Sequence, residues 1–213
     1  MAGRRGSFIP GATRTSGEFL TAPLFDLIVV AASAGGIAAL SKIFSGLPED
    51  LPVPIVVVQH LDPRHRSLLA EVLSRRTPLG VRQAQGGDKL EPGTIYIAPP
   101  DNHVLANADG TIALSQSELV HFVRPSADLL FESAAGAYRD RLVAVVLTGT
   151  GSDGSMGVRA VKAVNGTVIV QDPADAEFDG MPKAAIATGD VDFVLPLAEI
   201  ATALVTLIVG ESP

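Results

Sequence analysis

A doubly wound α/β fold, with a mainly parallel sheet, helices on both faces and a small antiparallel hairpin, is what this sequence predicts. Three observations carry it. Short runs rich in Val, Ile and Ala alternate with stretches of helical apolar spacing, the pattern of strand–helix–strand units. Strand-type runs such as "VPIVVVQH" (53–60) are apolar almost throughout, as strands buried on both faces are. The chain has 213 residues, 47% of them hydrophobic, enough for one well-buried domain.

Folded sequence begins near Leu24. "LIVVAAS" (27–33) reads as a strand, and "GGIAALSKIFSGLP" (35–48) as a helix stopped by Gly46 and Pro48. "VPIVVVQH" is the second strand and "RSLLAEVLSRRT" (66–77) the second helix. In "GTIYIAPPDNHVLANADGTIALSQ" (93–116), Asp109-Gly110 separates two strand-like runs, which is a hairpin signal. "PSADLLFESAAGAYRD" (125–140) reads as a helix capped by Ser126. "RLVAVVLTGTGSDGSMGVRAVKAVNG" (141–166) repeats the strand, Gly-rich turn, helix order. "GTVIVQDP" is a further strand, "MPKAAIATGDVDFVLP" a short helix and strand, and "LAEIATALVTLIVG" (197–210) a closing apolar helix. Residues 1–23, with their Gly, Ser, Thr and Pro content, read as a flexible arm ahead of a single domain over 24–213.

Composition narrows the function classes. The formal net charge is −7 and tryptophan is absent, so neither a basic footprint for nucleic acid nor a base-stacking platform is expected. There is no cysteine, which removes disulfides, thiolate catalysis and sulfur-ligated metals. No apolar run is long enough to span a bilayer, and the N-terminus has no continuous apolar core of the secretory kind. A cytoplasmic protein that is not membrane-inserted is expected.

In a doubly wound sheet, chemistry gathers at the carboxyl ends of the strands. There the sequence places Ser33 after the first strand, Gln59 and His60 after the second, and Asp153 in "GTGSDG" after "RLVAVVLT". Serine, histidine and aspartate are the parts of a hydrolytic relay. The hydroxyl needs a base to take its proton, imidazole ionises near neutral pH, and a carboxylate orients the imidazole. Gly35 and Gly36 allow a sharp turn, and the amide of Ala34 at a helix start can face a developing oxyanion. Taken singly, each residue has a plainer role. Ser33 and Asp153 could cap the helices that follow them, and His60 could be an ordinary loop histidine.

Two other chemistries fit less well. "AASAGG" occupies the place of a dinucleotide phosphate loop, yet Ala31, Ser33 and Gly36 meet G-x-G-x-x-G only at its last glycine. Gln59-His60 stands where a ribose-binding acid belongs. The four histidines, His60, His65, His103 and His121, form no H-E-x-x-H pair. His65 and His103 read as surface loop residues, and His121 as a packing or loop hydrogen-bonding residue near the same sheet edge.

The same residues carry a resemblance. From about Phe25 to Ile208 the chain resembles the catalytic domain of the CheB-type protein-glutamate methylesterases of bacterial chemotaxis. The family's nucleophile turn G-A-S-x-G-G is matched by Ala31-Ala32-Ser33-Ala34-Gly35-Gly36, and its Gln-His by Gln59 and His60 in "VVVQHLDP". Its T-G-M-G-x-D-G is matched by "TGTGSDG", which supplies Asp153. "IYIAPPDNHV", "RPSADLLFESAA" and "QDPADAEFDGMPKAAI" are similar to further family segments.

The resemblance implies hydrolysis of glutamate γ-methyl esters on the cytoplasmic helices of methyl-accepting chemoreceptors, with release of methanol. It also implies receptor-glutamine deamidation in some members. Ser33 would be the nucleophile, His60 base then acid, and Asp153 its orienter, with no cofactor and no metal. The chain departs from the family at Ala34 (often Thr), at Thr150 (Met, a position associated with a backbone amide near the oxyanion) and at Ala31 (Gly). None of these removes a member of the relay, so an active enzyme is expected. A catalytically silent receptor- or partner-binding module on the same fold is the alternative. Many members carry an N-terminal receiver domain. The arm before Leu24 is too short to form one, so the expectation is control by a separate regulatory protein, constitutive activity, or a sequence that is an excerpt of a longer chain.

Overall fold

The computed structural model describes residues 23–60 and 68–210. The expected arm (all but Pro23) and His65 lie outside them. In chain order the strands are β1 (Leu27–Ala32), β2 (Ile55–Gln59), β3 (Gly80–Gln83), β4 (Thr94–Ile97), β5 (His103–Ala106), β6 (Ile112–Ser115), β7 (Leu142–Val146), β8 (Thr167–Gln171) and β9 (Phe193–Leu195). The α-helices are α1 (Gly36–Phe44), α2 (Leu69–Ser74), α3 (Ala127–Tyr138), α4 (Ser155–Ala163), α5 (Gly180–Ala187) and α6 (Leu197–Val209).

Seven strands form one sheet in the order β3-β4-β2-β1-β7-β8-β9. Every pairing in it is parallel. Such strands are covered on both faces, which is why β1, β2 and β7 are apolar at nearly every position. Along β1 the side chains alternate between two cores. Leu27, Val29 and Ala31 pack with Leu130, Phe131, Val158 and Ala185 of α3, α4 and α5. Ile28, Val30 and Ala32 pack with Leu40, Phe44, Leu73 and Leu204 of α1, α2 and α6. The doubly wound expectation is met.

β5 and β6 form the separate antiparallel pair. Asp109-Gly110 lies in its turn, as the sequence suggested. Val104, Ala106 and Ile112 seat the hairpin in the α3 side of the core, and Ala106 N–H donates to Ser133 Oγ at 3.1 Å. The edge strand β3 is an addition to the sequence-based picture. It is only four residues long and largely exposed, so it lacks the apolar run by which buried strands are read. No helix among the described residues is long and apolar enough to cross a membrane.

The sheet order decides where a site can form. From β1 the chain passes through α1 to β2 on one side, while β7 on the other side leads through α4 to β8. The loops after β1 and β7 therefore diverge, and a crevice opens at their carboxyl ends. Ser33 lies on the first loop and Asp153 on the second.

Candidate active site

Ser33 follows β1 directly, on a turn held by its backbone. Its N–H donates to Thr148 O at 3.0 Å, and its carbonyl accepts Gly36 N–H at 2.9 Å. The same carbonyl accepts Gln59 Nε2–H at 2.7 Å, and Gln59 also donates to His60 O at 3.0 Å. Gln59 thus ties the serine turn to the histidine turn. Gly36 makes room for it: a β-carbon there would be driven into Gln59 Oε1 and would stand 2.8 Å from Ala32 Cβ. Gly35, the residue before α1, has φ of 76°, in the left-handed region that glycine occupies without strain.

Ser33 is therefore not the helix cap that its position allowed. No side chain caps α1, and among the described residues Ser33 Oγ has no hydrogen-bond partner. The amide N–H groups of Ala34 and Thr150 are likewise unpaired among the described residues. The loop after β7 lies against the serine, since a β-carbon on Gly149 would be 2.8 Å from Ser33 Cβ. An open groove of about 550 Å³ is lined by Ser33, Ala34, Ile37, Ala38 and His60, among others.

His60 and Asp153 are joined. His60 Nε2 stands 2.8 Å from Asp153 Oδ2, although the two are 93 residues apart in the chain. Asp153 is 4% exposed and its four lone-pair sites are all used. Oδ1 accepts Ser126 Oγ–H at 2.8 Å and Asp128 N–H at 3.2 Å. Oδ2 accepts Ala127 N–H at 2.6 Å beside the His60 contact. Burial by itself disfavours this carboxylate. The hydrogen bonds from His60, Ala127 and Ser126 outweigh it and hold the Asp153 pKa below the usual carboxylate value. An ionised carboxylate only accepts, so the proton on neutral His60 sits on Nε2. Among the described residues nothing pairs with Nδ1, whose lone pair is unused there.

Asp153 also does not cap the helix that follows it, since no side chain caps α4. It serves α3 instead, where two first-turn amides point at it. Ser126 is the residue before α3, as expected, yet it makes no cap hydrogen bond of its own. Its hydroxyl is spent on Asp153. His103 was expected on the surface and is fully buried. Its Nδ1 accepts Ser126 N–H at 3.1 Å, so Nε2 carries the proton and donates to Glu118 O at 3.1 Å. The side chain of His121 is about half exposed, and its Nε2 lies 3.2 Å from Asp128 Oδ2. Asp128 is buried and accepts Gly157 N–H at 2.8 Å on its other oxygen. Burial is the main reason its pKa is raised, with the Asp153 charge adding to it against the Gly157 amide and His121.

Thr148 is a residue that sequence reasoning did not single out. Its Oγ1 accepts Phe178 N–H at 2.9 Å and lies 3.0 Å from Ala34 O. Its own N–H donates to Gln171 Oε1 at 2.9 Å. It binds the serine turn to β8 and to the loop before α5. Its signal in the sequence was only its place at the head of "TGTGSDG".

The model of the family described as CheB methylesterase matches residues 28–204. The chain belongs to the CheB methylesterase family. A Burkholderia lata protein-glutamate methylesterase/protein-glutamine glutaminase 1 is 39% identical over 198 residues, which are 93% of this chain and 59% of the relative. A Leptospira interrogans protein named for the same two activities is 39% identical over 183 residues, 86% of this chain and 95% of the relative. The crystal structure of the Thermotoga maritima CheB methylesterase catalytic domain superposes with a TM-score of 0.83 at 39% identity, covering 86% of this chain and 98% of that one. The chain spans about half the length of other family members, 51% of one from Symbiobacterium thermophilum.

Proposed function

We propose that this protein hydrolyses glutamate γ-methyl esters on the cytoplasmic helices of methyl-accepting chemoreceptors, releasing methanol, with Ser33, His60 and Asp153 as the relay. One observation supports this reading above the others. A buried, fully hydrogen-bonded Asp153 holds His60 at 2.8 Å beside a serine turn whose hydroxyl has no partner among the described residues. Family membership supports the substrate class, and the names of the relatives extend it to glutamine side chains.

The mechanism follows from the tautomer. Ser33 Oγ attacks the ester carbonyl carbon as its proton passes to His60 Nδ1. Positive charge spreads over the ring and is balanced through Nε2–H by Asp153. The tetrahedral oxyanion takes hydrogen bonds from the free amides of Ala34 and Thr150; losing one such donor typically costs about 3–4 kcal/mol of barrier. The C–O bond to the methoxy group then breaks. The leaving oxygen takes the proton from His60 and departs as methanol. Water attacks the Ser33 ester and gives a proton to His60; the C–Oγ bond then breaks, Oγ takes that proton from His60, and the glutamate leaves as its carboxylate after losing its remaining proton to solvent. A glutamine side chain would run the same course with ammonia as leaving group.

Ala34 carries no hydroxyl, so positioning of His60 rests on Asp153 and the Gln59 clamp rather than on a side chain beside Ser33. The test is methanol release from methyl-esterified receptor by the wild type and by Ser33→Ala. Release by the first and none by the second is expected. Release that persists in Ser33→Ala would remove the nucleophile assignment. A fluorophosphonate adduct on Ser33 reads the same nucleophile without a receptor, and its absence would point instead to a binding module.

A further inference from the structure

Behind Asp153, on the side away from His60, lies a buried polar chain that the relay does not account for. Ser126 and His103 are both fully buried. Ser126 spends its hydroxyl on Asp153 Oδ1 at 2.8 Å and its backbone N–H on His103 Nδ1 at 3.1 Å. His103 in turn donates from Nε2 to Glu118 O at 3.1 Å. The residue before a helix ordinarily turns its hydroxyl back onto a first-turn amide. Here those amides are taken by Asp153, and Ser126 is free to face the carboxylate.

His103 opens β5 and Glu118 follows β6, so the two supports of the chain come from the two arms of the hairpin. The small antiparallel sheet is thereby tied to the acid of the relay. Without the Ser126 hydroxyl, one lone pair of a carboxylate sealed from water would go unmet. Asp153 would then be the stronger base and would hold the proton on His60 more tightly.

Resting on the relay reading, we propose that Ser126 and His103 are positioning residues for the Asp153–His60 pair. Ser126 fixes the rotamer and basicity of Asp153, and His103, as its Nε2–H tautomer, fixes Ser126. Among the described residues, titratable groups near the pair include Asp128 on the first turn of α3 and His121 beside it. Both stay unchanged in the variants.

The test is the pH profile of kcat/KM on methyl-esterified receptor for wild type, Ser126→Ala and Ser126→Thr, with Ser33→Ala alongside. Ser126→Ala should lower kcat about tenfold, leave KM within about twofold, and move the acid limb upward by about half a pH unit. Ser126→Thr, which keeps the hydroxyl, should restore the limb. A wild-type limb and kcat in Ser126→Ala would overturn the proposal. The relay reading fails separately, if Ser33→Ala keeps its activity. Should Ser126→Ala not fold, nitrogen-15 spectra of the histidine rings in the intact protein at neutral pH decide the matter. An Nε2–H tautomer at His103 supports the chain, and an Nδ1–H tautomer overturns it.

Discussion

The two halves of the site are built in opposite ways. Asp153 accepts four hydrogen bonds, from His60, Ser126, Ala127 and Asp128, and is almost sealed from water. Ser33 has its backbone clamped by Thr148, Gln59 and Gly36, yet its hydroxyl touches no partner among the described residues and faces an open groove. Asp153 doubles as the anion at the N-terminus of α3, so the fold is expected to depend on it. Ser33, whose hydroxyl bonds nothing among the described residues, is expected to be dispensable to the fold. A group that must form and break a covalent bond gains from a fixed backbone and a free side chain. A group that only orients and balances charge gains from being fully satisfied.

Substitutions can break this contrast. The largest effect on activity is expected from Ser33→Ala, a loss of about 10³-fold or more in kcat. Thermal or denaturant stability should stay within about 0.5 kcal/mol of wild type, because the Ser33 hydroxyl makes no hydrogen bond among the described residues. Asp153→Asn should strike both properties. Activity should fall by about 10³–10⁴-fold, by analogy with a relay whose imidazole is no longer oriented. Stability at neutral pH should fall by about 1–3 kcal/mol, as charge-assisted bonds to two helix amides and Ser126 are weakened. Urea unfolding with a methanol-release assay on the same samples checks both. A stable, folded Asp153→Asn would show that α3 does not need its anion.

A smaller effect is expected at the clamp. Gly36→Ala would push on Gln59 Oε1, loosening its hold on the Ser33 carbonyl. Overpacking of this kind costs about 1–3 kcal/mol, and a drop in kcat with little change in KM should accompany it. Steady-state kinetics at a temperature well below the midpoint separates the two.

The subtlest contrast lies between two carboxylates that meet at the first turn of α3, Asp128 on the helix and Asp153 on the loop after β7. The Asp153 pKa is lowered in the fold, so the stability it contributes is present above the unfolded carboxylate value, about pH 4, and is lost as pH falls through its folded value. The gap between wild type and Asp153→Asn should therefore be full near neutrality and close in acid. The Asp128 pKa is raised, mainly by burial, so its contribution is present at low pH and lost as pH rises through its folded value. Asp128→Asn should match wild type within about 0.5 kcal/mol near pH 4 and gain on it as pH rises. Chemical denaturation of the three proteins across pH 3.5–8 reads both slopes, and equal slopes would contradict the opposed pKa directions.

Much of this was legible in the chain itself. Ser33, Gln59, His60 and Asp153 were found because parallel strands buried on both faces leave apolar runs, and the residues at their carboxyl ends stand out against them. The hairpin was legible from Asp109-Gly110. β3 was not, because a short exposed edge strand leaves no apolar run. Ser126 misled for a physical reason. A serine before a helix caps that helix by default, and local sequence cannot show that a carboxylate 27 residues away has taken the amides. His103 misled likewise, sitting among Pro, Asp and Asn in a loop-like stretch and yet lying fully buried.

The sequence by itself determined the parallel sheet, its two covered faces and the three residue types at its carboxyl edge, because periodicity and strand-end position are local properties. Only the tertiary structure decided that Asp153 caps α3 rather than α4, that Ser126 serves Asp153 rather than its own helix, and that Nε2 is the nitrogen of His60 that meets Asp153. Each of those depends on which groups meet from distant stretches of the chain, and no local pattern records such a meeting.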